Sequence, residues 1–146
     1  MPLARLVLLL LAASAAPAAA PAVPPPPRIE IYAMPQGVRL LVAPRVARAG
    51  AVVTLELVNG RRDQVGFNLC MSELRRYEHG GTTEVRQPGA CTRELRIAGP
   101  GGRARHVKRL PAGLPPGRYS YATRVEAPLH GPQMHQLLVS EPFEVR

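Results

Sequence analysis

Cys70 and Cys91 are the most chemically defined pair in this 146-residue chain. Two thiols allow a single intramolecular pairing, and in an oxidising compartment such a pair in a small domain closes a disulfide. A closed loop of about 20 residues would stabilise the fold by roughly 3 kcal/mol in the chain-entropy model. The alternatives are a reactive thiol or a pair of soft-metal ligands. A second constellation is His130, Met134 and His135, close together near an expected loop, with His79, His106, Met71 and Met34 elsewhere. Imidazole and thioether together suit Cu(I), and neutral imidazole suits Cu(II) or Zn(II). The spacing matches no dedicated copper motif, and a Met and two His in a polar loop are more often solvated. No cofactor is therefore expected; copper or another metal at His130, Met134 and His135 is the alternative.

Catalysis has less support. A hydrolase needs a nucleophile, a base within hydrogen-bond reach and a group that orients the base. Ser72, Ser120 and Ser140 accompany four histidines, but none sits in a nucleophile elbow. The glycines of Gly99-Pro100-Gly101-Gly102 precede a basic strand instead of the helix that a phosphate-cradling loop requires. The chain is expected not to be an enzyme. Recognition is the stronger reading, with candidate contact surfaces in the turn from Gly99 through Arg103 and Arg105 to His106 and in the loop Leu129 to Gln133. Arg61-Arg62 and Arg75-Arg76 read as solvent-facing charge.

The formal charge is +9, and Lys108 is the one Lys among nineteen Lys and Arg residues. Such a charge permits contact with anionic surfaces. The cations are scattered, however, and base-stacking aromatics are scarce, so Arg richness reads first as codon bias and no nucleic-acid partner is expected.

The elements that must position these residues begin after an export segment. Met1 to Arg5 is a positive start, Leu6 to Leu11 an aliphatic run and Ala12 to Ala20 a zone of small residues. That order is the signature of a secretory signal peptide over residues 1–20, cleaved after Ala15 or near Ala20. The apolar run is too short for a permanent anchor, so no stable membrane insertion is expected. Residues 21–28 hold five prolines and predict a polyproline II spacer. The domain occupies 29–146.

Within it, period-two alternation between turn signals predicts strands. Val53, Leu55 and Leu57 alternate with Thr54 and Glu56, and Val65, Phe67 and Leu69 share a face. Asn59-Gly60 between them predicts a hairpin. Further strands are expected over Ile29–Ala33, Val38–Val42, Glu73–Tyr77, Glu84–Gln87, Thr92–Ala98, Arg103–Leu110, Tyr119–Val125, Gln136–Ser140 and Phe143–Val145. Leu95, Ile97 and Val139 are expected in the core. Cys70 has opposite parity to Phe67 and Leu69, which predicts a bridge at a loop edge and not across the core. Short strands at such spacing predict a two-sheet sandwich, with a barrel as the alternative.

The runs Val53-Thr54-Leu55-Glu56-Leu57-Val58-Asn59 and Val65-Gly66-Phe67-Asn68-Leu69-Cys70, then Cys91, then Leu110 to Tyr119 and the closing Ser140-Glu141-Pro142-Phe143-Glu144-Val145, resemble the bacterial immunoglobulin-like domains of small exported proteins. The resemblance covers about residues 38 to 146. There is a more distant likeness to BsuPI-type proteinase inhibitor domains. Unlike antibody domains, the chain has no Trp. Tyr119 after Pro115-Pro116-Gly117 resembles a tyrosine corner. The resemblance implies an all-β immunoglobulin-like β-sandwich of about seven to nine strands. The expected function is that of an exported, periplasmic or secreted, non-catalytic accessory module for a protein or other envelope partner. Copper handling and proteinase inhibition are the alternatives.

Overall fold

The computed structural model describes residues 35–129 and 135–146, apart from the side chain of His135. The expected signal peptide, the proline spacer and the strand at Ile29–Ala33 lie outside the described residues.

The chain forms an immunoglobulin-like β-sandwich. Eleven strand segments follow in order: β1 Val38–Ala43, β2 Val46–Ala47, β3 Val52–Asn59, β4 Val65–Phe67, β5 Glu73–Glu78, β6 Gly81–Val85, β7 Arg96–Ala98, β8 Arg103–Arg109, β9 Gly117–Glu126, β10 His135–Val139 and β11 Phe143–Val145. One sheet is β1-β3-β8. The other is wider, because several of its strands are broken in the middle. On one side β9 pairs with β11 and then β10, and on the other with β5 and then β4. Outside these, β6 pairs with β5 and β7 with β4, while β2 runs parallel to β11. Five strand paths therefore face three.

Period-two burial explains the central strands. Val53, Leu55 and Leu57 of β3 are buried, as are Val65, Phe67 and Leu69 along β4 and its continuation. Tyr119 and Tyr121 of β9 close on Phe143, whose ring stacks on Tyr121 at 5.9 Å between centroids. In the absence of Trp these three rings and that of Phe67 are the largest apolar bodies in the core. Tyr119 completes a tyrosine corner: its hydroxyl donates to the Pro115 carbonyl at 2.7 Å.

The expected hairpin at Asn59-Gly60 does not form. β3 and β4 belong to different sheets, so the chain crosses the sandwich there. Asn59 is fully buried. Its amide donates to the carbonyls of Asp63, Ala98 and Gly99 at 2.9, 3.1 and 3.0 Å, and its oxygen accepts from the Arg61 N–H at 2.9 Å. Asn59 thus knots two crossings together, and Gly60 has no positive φ of the kind a tight hairpin needs.

Leu95 and Ile97 are also misplaced by parity: both are about half exposed, while Ala98 is buried. β7 is an edge segment beyond the width of the facing sheet. Its inward position at Arg96 is exposed and lines a cleft with Arg105 and His106 of β8. Its outward side, with Leu95 and Leu129, lies over Gly66, where a Cβ would sit 2.8 Å from Leu129 and 3.1 Å from Leu95. In β10 it is Leu138, opposite Thr123, that is buried, and Val139 is only partly covered. The interruption at Ser140 to Pro142 shifts the parity between β10 and β11, and there the Tyr121 N–H donates to the Ser140 hydroxyl.

Candidate functional site: the open side of the sandwich

Among the described residues, the mismatch in sheet width leaves one flank of the sandwich open, between β8 and the segment 86–95 that joins β6 to β7. Two sequence features shape that flank. In the wide sheet, the strand made of β4 and β5 is broken by a 3₁₀ turn at Leu69–Met71. Opposite it the neighbouring strand is broken too, and Asn68 bridges the gap with its side-chain amide, donating to the Thr92 and Glu94 carbonyls at 2.7 and 2.9 Å. The Cys70–Cys91 disulfide fastens the turn to the segment, with 5.6 Å between Cα atoms. The bridge therefore ties loop edges, as the parity of Cys70 predicts.

β8 forms the other wall. Its register sets Val53 opposite Lys108, Leu55 opposite His106 and Leu57 opposite Ala104. At the two ends the Asn59 N–H donates to Gly102 and the Leu110 N–H to Ala51. In an antiparallel ladder alternate residues turn both backbone groups to the partner. The even-numbered residues of β8 bond to β3, so the backbone N–H and C=O groups of Arg103, Arg105, Val107 and Arg109 face away from it, along the free edge. All four side chains are exposed on the outer face of the sheet. Glu56 of β3 is shared by Arg103 and Arg105, at 3.4 and 3.2 Å. One carboxylate between two guanidiniums leaves the edge cationic.

Between these walls run two clefts of about 470 and 260 Å³, which share Cys70, Ala90 and His106. Lys108 reaches in and donates to the Cys70 and Ser72 carbonyls at 2.6 and 3.1 Å, joining the sheets across the opening. Desolvation holds its ammonium below the usual lysine range. His106 is held below the usual imidazole value, first by desolvation and then by the charges of Lys108 and Arg96. At the far end Gln87 donates to the buried Tyr121 phenol at 2.9 Å, and burial pushes that phenol up to about 12.

Arg103 and Arg105 thus share the outer face of β8, while His106 points the opposite way, into the cleft. Sequence reasoning missed Lys108, Cys70 and the 87–91 segment as parts of one groove. The disulfide linking positions 70 and 91 was the signal that bore on it. Of the expected metal ligands, His130 and Met134 lie outside the described residues, and for His135 only the backbone at the start of β10 is described. Among the described residues no three His, Cys, Asp or Glu side chains gather into a metal-binding group. Among them, too, no helix is long and apolar enough to cross a membrane.

No family model and no curated protein matches this chain. Among solved structures it is similar to Northeast Structural Genomics Consortium target SoR45, with TM-score 0.52 and 14% identity over 77% of this chain and 88% of that one. It also aligns with the ASH / PapD-like domain 7 of human CEP192, with TM-score 0.41 and 18% identity over 84% of this chain and 96% of that one. A third alignment, to the Pseudomonas fluorescens alkylpurine DNA glycosylase AlkC bound to DNA containing an abasic site analog, has TM-score 0.37 and 16% identity. It covers 75% of this chain and 30% of the glycosylase. The likeness to SoR45 is one of fold.

Proposed function

We propose that this chain is an exported, non-catalytic immunoglobulin-like accessory module that binds a protein partner through the open side of its sandwich. The observation that carries the reading is the groove between β8 and the disulfide-anchored segment 87–91, where a strand edge with unused backbone groups borders a cleft. Such edges and clefts are how sandwich domains engage extended partners. Export is supported by the signal-like order of residues 1–20 and by a disulfide that persists in oxidising compartments.

Position-specific photo-crosslinking in envelope extract tests this. A photoreactive residue at Val107, on the groove edge, is expected to capture a defined partner that the same residue at Arg39, on β1, does not. Identical capture from both positions, or none from Val107, would contradict the reading.

A further inference from the structure

We infer that the groove is a track for an acidic, extended segment of the partner protein, which adds to β8 as a further antiparallel strand. The inference rests on the binding-module reading and gives it a partner chemistry. β8 offers four residues, Arg103, Arg105, Val107 and Arg109, whose main-chain donors and acceptors face outward at two-residue spacing. A strand added there would hydrogen-bond to those four and would place alternate side chains beside theirs, on the outer face of the sheet.

Charge then decides which strand fits. Three of the four flanking side chains are guanidiniums, and Glu56 is the one carboxylate bridged to them. A second copy of β8 would set Arg against Arg or Val, so the edge repels its own kind, as charged edges do. Acidic side chains beside Arg103, Arg105 and Arg109, with an apolar one beside Val107, complement it. Val107 is 61% exposed. Read antiparallel, the fitting segment is acidic-x-apolar-x-acidic-x-acidic. Among the strand edges this one combines length with cation density: β1 carries only Arg39, and β6 carries none.

The probe is a fluorescein-labelled peptide with the core Glu-Thr-Val-Thr-Glu-Thr-Glu, its binding to the full chain read by anisotropy. Methylating the backbone nitrogens of the Val and the central Glu removes donors that face β8 without changing charge, and should weaken binding by about tenfold or more. Methylating the two Thr nitrogens on either side of the central Glu, which face away, should leave it within about threefold. Arg103→Glu with Arg105→Glu, checked for an unchanged far-ultraviolet spectrum, should lose the acidic peptide and gain a Lys-for-Glu version. Equal effects of the two methylation patterns would overturn strand addition. So would displacement of the peptide by anionic vesicles or duplex DNA with both methylated forms binding alike, which marks a general polyanion surface. A specific crosslink from Val107 with no peptide binding overturns the acidic track while the module reading stands; loss of the crosslink removes both.

Discussion

Asn59 shows most directly how one side chain sets the path of the chain. Its amide serves three carbonyls from two other segments in a site without solvent. Asn59→Asp keeps the shape but turns a donor into a buried acceptor aimed at other acceptors. A loss of about 3–5 kcal/mol is expected in urea unfolding, the range for an uncompensated buried charge. Two titrations carry comparable information. His106 has a folded value below its unfolded value of 6.5. The unfolded state therefore binds the proton first, and stability should hold above pH 6.5 and fall as pH drops through the folded value. His106→Gln should flatten that part of the stability–pH curve; an unchanged slope would contradict the burial of the imidazole between Lys108 and Arg96. The Tyr121 phenol moves the other way, from 10 to about 12. Stability should fall between pH 10 and about 12, and tyrosinate absorbance should show a late phase to which Tyr121 contributes, burial moving the Tyr119 phenol upward as well. A late phase undiminished in Tyr121→Phe would contradict the burial of that phenol.

At the scale of elements, the disulfide and the Asn68 bridges tie the broken middle of the wide sheet to itself, and Lys108 joins it to β8. Cys70→Ser with Cys91→Ser should cost roughly 3 kcal/mol by the loop-closure argument and should speed amide exchange in β6 and β7 more than in β3. Alkylation of the unreduced protein should label neither cysteine. The central strand was legible from sequence: Val53 to Leu57 alternate because both neighbours and the opposite sheet are present, and the inward Val65 and Phe67 are buried too, although Gly66 between them is also covered. β7 was not, since at this edge the larger apolar residues Leu95 and Ile97 lie on the outer side and stay about half exposed, while the small Ala98 takes the buried position. Nor was the turn at Asn59 legible, because Asn-Gly signals a reversal without saying whether the chain returns to its own sheet or crosses to the other. The groove was the least legible part: it joins β8 to residues 87–91, and period-two patterning carries no information about which loop stands opposite which edge.

For the molecule as a whole, among the described residues a sheet of three strands packed on one of five leaves an uncovered flank, and the sequence lines that flank with Lys108, His106 and a tied loop instead of apolar side chains. The proposed function and the acidic-strand track both depend on the outer edge of β8 being free. Backbone amide hydrogen exchange measures this residue by residue. Ala104, His106 and Lys108, bonded to β3, should be protected, while Arg103, Arg105, Val107 and Arg109 exchange fast. Uniform protection along β8 would mean that the edge is already paired or covered, and would contradict the account.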